Sequence, residues 1–86
     1  MDNYKKLFDS FAICINNTDY PASLELHKVY PVLPDRDAYE DGDLRVIDES
    51  GEDYLYPSDY FLVISLAYNT ELMLADSFSR IYNVAA

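Results

Sequence analysis

Residues 48–64 read DESGEDYLYPSDYFLVI. A charged turn leads into Tyr54-Leu55-Tyr56, then Pro57-Ser58-Asp59-Tyr60, then an apolar run. Gly51 supplies the positive φ that a tight hairpin loop needs, so Glu49–Glu52 is read as a turn between two strands. The incoming strand is Leu44–Asp48 and the returning one Asp53–Tyr56. Pro57 ends the second, because it has no N–H to give to a ladder. Phe61–Ser65 then reads as a further strand, short and β-branched.

Phe11–Ile15 (FAICI) has the same character, closed by the turn-forming cluster Asn16-Asn17-Thr18-Asp19. Val29–Leu33 is another strand, with Pro31 placing it at an edge or at an irregularity. Pro34–Asp43 is polar and reads as a loop. Beyond Asn69 the period changes. Thr70–Tyr82 fits a helix capped by Asn69 or Thr70, with Glu71 in its first turn and Arg80 near its last. Leu74, Phe78, Ile81 and Tyr82 fall on one face of it, suited to docking on the strands or to a homodimer seam. Five short strands at this spacing predict a small barrel or sandwich.

Composition bounds the rest. The chain has 86 residues, enough for one core. It carries 16 acids against 6 bases, a net charge of -10. Such a chain repels phosphate backbones and anionic membranes, so neither direct nucleic-acid binding nor membrane association is expected. A basic protein partner is permitted. The N-terminus, MDNYKKLFDSFAICINN, lacks the pattern of a signal peptide, and a cytoplasmic location is the expectation. The lone cysteine, Cys14, sits among apolar neighbours and reads as a core residue. The lone histidine, His27, has nothing to bring it to Cys14, and no catalytic residue is assigned. Asp37–Asp48 superficially matches a calcium loop, but Tyr39 stands at its third position and Asp48, not Glu, at its twelfth. No metal or cofactor is assigned, and no enzymatic activity is expected.

Tyr56-Pro57-Ser58-Asp59-Tyr60-Phe61 resembles the segment of SH3 domains that forms a single 3₁₀ turn between the fourth and fifth strands. The order of the flanking segments is similar over about residues 11–65. More narrowly, LELHKVYPVLPDRDAYEDGDLRVIDESGEDYLYPSDYF is similar to a family of small bacterial proteins, a likeness that implies a fold rather than an activity. The resemblance implies a mainly β chain: a five-stranded SH3-like barrel over residues 11–66, an N-terminal extension over 1–10, and a C-terminal helix and tail over 67–86. It also implies that Tyr56 fills a core position and that Pro57 and Tyr60 line the ligand groove. Two groove tyrosines and the groove tryptophan of SH3 domains are replaced here, at Ala12-Ile13-Cys14-Ile15-Asn16 and near Leu44-Arg45. Recognition of proline-rich peptides is therefore not expected.

Two surfaces are candidates for a protein or peptide partner. One is an aromatic patch of Tyr20, Tyr54, Pro57 and Tyr60, with Tyr30 a further candidate member. The other is the acidic region 35–53, whose Asp35, Asp37, Glu40, Asp41, Asp43, Asp48, Glu49, Glu52 and Asp53 would imitate a nucleic-acid backbone and inhibit a basic protein.

Overall fold

The computed structural model describes residues 8–82. Five strands form one sheet: β1 (Ser10–Cys14), β2 (Val29–Leu33), β3 (Asp43–Ile47), β4 (Asp53–Pro57) and β5 (Phe61–Ile64). A short helix α1 (Arg36–Glu40) precedes β3, and a longer one, α2 (Tyr68–Tyr82), follows β5. Every pairing is antiparallel, in the order β4-β3-β2-β1-β5. The expected strands are all present, each within a residue of its expected ends. Residues 1–7 of the expected extension lie outside the described residues.

The sheet is open, which corrects the expectation of a closed barrel. β4 and β5 stand at its two ends, joined by the 3₁₀ turn Ser58–Tyr60. The alternation of side chains then gives the sheet two apolar faces, and each receives its own cover. On the first face Ala12, Cys14, Tyr30, Val32, Leu44, Val46, Tyr56 and Phe61 are buried with Leu24. Leu24 comes from the β1–β2 connection, which folds down as a lid. On the second face Phe8, Phe11, Ile47 and Ala75 are buried, with Leu33, Ile64, Leu74, Phe78 and Tyr82 packed around them. Phe11 sits between rings, 5.8 Å from Phe8 and 5.7 Å from Phe78. A helix laid on one face serves there in place of closing the sheet on itself.

α2 begins at Tyr68, two residues before the expected start, so Asn69 and Thr70 lie in its first turn rather than capping it. The Glu71 N–H donates to the Ala67 carbonyl, which sets that start. The docked arc is rotated toward Ala75. Ile81, expected on the buried face, is thereby left 72% exposed. Leu74, Phe78 and Tyr82 of that stripe pack, half-buried, against the sheet.

Pro31 lies on an inner strand, not an edge. The Cys14 N–H donates to the Lys28 carbonyl, which makes Phe11 and Pro31 a pair that exchanges no hydrogen bonds. The nitrogen of Pro31 thus faces β3, and pairing with β3 begins one residue later, at Val32↔Val46. The expected irregularity is there, in the middle of the sheet.

The polar run expected to be a loop contains α1. Asp35 caps it by accepting from the Ala38 N–H (3.0 Å), and Ala38 is buried. Asp35 also accepts from Arg45 Nε at 2.7 Å, tying α1 to β3. In the β3–β4 turn, Gly51 has φ +82, and an added Cβ would meet only the Tyr82 ring, no closer than 3.6 Å. That is ordinary contact, so the cost of Gly51→Ala is confined to the backbone. The substitution is expected to destabilise by about 1–2 kcal/mol, read as a lower urea midpoint with an unchanged m-value.

Candidate functional site

Asp48 leaves the end of β3 and is 1% exposed. One carboxylate oxygen accepts from the Ser50 N–H (2.9 Å) and the Ser50 hydroxyl; the other accepts from the Tyr56 hydroxyl. Its backbone closes the hairpin, with its N–H donating to the Glu52 carbonyl and its carbonyl accepting from the Gly51 N–H. Asp48 thus shapes the turn as an Asx-type residue. This removes it from the solvated acidic stripe in which the sequence reading placed it.

The next residue ties the hairpin to the lid. The Glu49 N–H donates to the Ser23 carbonyl. Its carboxylate accepts from Lys28 Nζ and from the Tyr30 hydroxyl, which itself accepts from the Glu25 N–H. These bonds, Lys28 first, hold the Glu49 carboxyl below its ordinary range. Tyr30 is buried with its hydroxyl spoken for, so it is not part of an exposed patch.

Positioned this way, the lid presents Tyr20. Its ring meets Tyr56 edge-on, with centroids 4.9 Å apart and planes at 88°. It lies 6.1 Å from the ring of Tyr60. Tyr60, at the end of the 3₁₀ turn, donates its hydroxyl to Asp19 on the lid. Tyr54, two residues before Tyr56 and on the same side of β4, is 49% exposed and donates to Glu52 at 3.1 Å. An open groove of about 350 Å³ runs between these parts, lined by Tyr20, Ser23, Asp48, Ser50, Tyr54, Leu55 and Tyr56.

The structure therefore brings Tyr20 together with both Tyr54 and Tyr60. Pro57 is half-buried and paired opposite Asp43 at the end of β4; neither it nor Tyr60 is among the residues lining the groove, and Tyr60 meets the site only through Tyr20 and Asp19. Sequence reasoning missed Ser23, Ser50 and Asp48 as groove residues. The Asp-x-Ser spacing at the turn was a usable signal for the last two.

Cys14 is buried and its thiol donates to the Asn16 carbonyl; burial pushes its pKa up, away from thiolate reactivity. His27 is exposed at φ 67, and its backbone N–H, not its ring, reaches Cys14, at the carbonyl. The stretch resembling a calcium loop is helix, turn and strand. Among the described residues no group of three or more His, Cys, Asp or Glu is arranged to hold a metal ion. In the acidic region, Asp35 and Asp53 are paired with Arg45, and Glu49 with Lys28. Asp37, Glu40 and Asp41 remain exposed around α1. Among the described residues no helix is long and apolar enough to cross a membrane.

Comparison with protein families, with curated proteins and with solved structures found no match.

The phenols give a pH prediction. Burial first, and then the bond to Asp48, pushes Tyr56 up to about 12. Tyr60 is pushed up to about 12 chiefly by its bond to Asp19, and Tyr30 is raised chiefly by burial. For a group whose folded pKa is raised, the stabilisation is full below the unfolded value and is lost as pH climbs through the folded one. Stability is therefore expected to hold up to about pH 10 and to fall between about 10 and 12. Phenolate absorbance followed against pH should show a late-ionising class that shrinks in Tyr56→Phe and merges with the rest in denaturant.

Proposed function

We propose that the chain is a non-enzymatic protein-interaction module of SH3-like arrangement, docking a protein or peptide segment against Tyr20, Tyr54 and Tyr60. The carrying observation is that one exposed ring, Tyr20, contacts Tyr60 on one side and shares a groove with Tyr54 on the other. Three tyrosines from three separate parts of the chain converge on one open surface. Tyrosine is suited to this role, since a large rigid ring buries area at low entropic cost while its hydroxyl keeps a polar contact. The antiparallel order and the 3₁₀ turn before β5 support the SH3-like reading. Pro57 serves this surface by ending β4 and opening that turn.

The acidic-decoy reading is the weaker one, because salt bridges and burial take Asp35, Asp48, Glu49 and Asp53 out of a free stripe. Affinity purification from native host extract at two salt concentrations separates the two readings. Tyr54→Ala and Tyr60→Ala, each folded by circular dichroism, are expected to lose the partner captured by the parent chain. Capture that survives both tyrosine changes but vanishes at the higher salt would overturn the aromatic site and favour the decoy.

A further inference from the structure

The groove beside Asp48 has a composition of its own. Its walls include the rings of Tyr20, Tyr54 and Tyr56, and its polar groups include the hydroxyls of Ser23 and Ser50. Asp48 reaches it from a position that is 1% exposed. Buried carboxylates are ordinarily matched by a cation. Asp48 has hydrogen bonds from Ser50 and Tyr56, but among the described residues no lysine or arginine forms an ion pair with it. The nearby lysine, Lys28, is engaged by Glu49. Glu52 and Asp53 add negative charge along the same hairpin, and Asp53 is already shared with Arg45.

We propose that this groove takes the guanidinium of an arginine carried on a basic segment of a partner protein. Aromatic faces attract a cation through their quadrupole, and the effect grows where water is excluded. A guanidinium is planar, so it stacks on a phenol ring while its N–H groups point sideways to acceptors. A carboxylate has room for about four hydrogen bonds, and Asp48 accepts three from the Ser50 N–H, the Ser50 hydroxyl and the Tyr56 hydroxyl. The Ser23 hydroxyl supplies a further acceptor, while the Ser50 hydroxyl already donates to Asp48 and accepts from the Glu52 N–H. A lysine ammonium shares the charge but not the flat stacking surface, and binds more weakly. The net charge of -10 draws such a segment in, and the groove fixes one residue of it. The inference rests on the docking surface proposed above and names the chemistry of its partner.

The test is a titration of N-acetyl-arginine amide followed by amide NMR shifts, beside the citrulline and lysine derivatives. Citrulline keeps the shape and loses the charge. Ser50 and Tyr54 are expected to move saturably with arginine, less with lysine and hardly at all with citrulline. Tyr54→Ser, an exposed and therefore foldable variant, is expected to weaken arginine about fivefold. Asp48→Asn should abolish the preference for arginine over citrulline, provided the fold persists. Equal shifts with citrulline, shifts centred on Asp37, Glu40 and Asp41 that survive Tyr54→Ser, or no shifts at all would each overturn the proposal. If arginine is silent while Tyr54→Ser still loses the partner captured from extract, only the guanidinium inference falls. If Tyr54→Ser keeps that partner, the docking surface itself falls.

Discussion

Phe11→Ala is expected to destabilise the fold by about 3–5 kcal/mol, the range for emptying a buried phenylalanine site. Phe11 is 1% exposed on β1, an inner strand, and its ring lies between those of Phe8 and Phe78. Truncation removes contacts to the segment before β1 and to α2 together, and rings held on a rigid sheet close poorly around the void. Domains of this size hold about 5–15 kcal/mol in total, so the variant should stand near the edge of unfolding at room temperature. Urea denaturation measures it directly. Ile81→Ala is the control on the same helix, because Ile81 is 72% exposed and should shift stability by no more than about 0.5 kcal/mol. Equal effects from the two variants would mean that α2 is not seated on this face.

Asp48→Ala is expected to cost about 2–4 kcal/mol, since a buried group left without its partner loses the hydrogen bond and keeps the desolvation penalty. Here the Tyr56 hydroxyl and the Ser50 N–H and hydroxyl all lose their acceptor. Tyr56→Phe removes only one of those bonds and should cost about 1.5–3 kcal/mol, the range for a bond to a charged group. The double variant should cost less than the two single changes added, because the shared bond is lost only once. Full additivity in urea denaturation would show that the two groups do not meet. Asp48→Ala should also loosen the hairpin, seen as faster amide exchange at Ser50 and Gly51.

The strands were legible because each is short, apolar and bounded by strong punctuation. Gly51, Pro57 and the Asn16–Asp19 cluster mark ends that a periodicity argument alone would blur. The hairpin and the 3₁₀ turn are local structures, so local residues specify them. α1 was hidden because five residues leave too little periodicity to read, and its stability comes from the Asp35 cap and the bond to Arg45 rather than from propensity. The open sheet was hidden because the same alternating strands serve a closed barrel or a layer covered on both sides. The packing of α2 on the second face is a long-range contact that no local stretch of sequence specifies. In the site, Tyr20, Tyr54 and Tyr60 were legible as aromatics near turns. Asp48 was not, since an acid between Ile47 and Glu49 looks like one more surface charge. Only the pairing of β3 with β4 shows the Tyr56 hydroxyl turned onto it.

The lid and the sheet assemble one aromatic cluster, with Tyr20 seated against both Tyr56 and Tyr60. Nuclear Overhauser contacts among assigned tyrosine ring protons measure this most directly. The expected result is strong cross-peaks from Tyr20 to Tyr56, 4.9 Å away centre to centre, and weaker ones to Tyr60 at 6.1 Å. A Tyr20 ring with contacts to neither, in a chain whose β1–β2 and β3–β4 pairings are intact, would mean that the lid does not seat Tyr20 on the sheet.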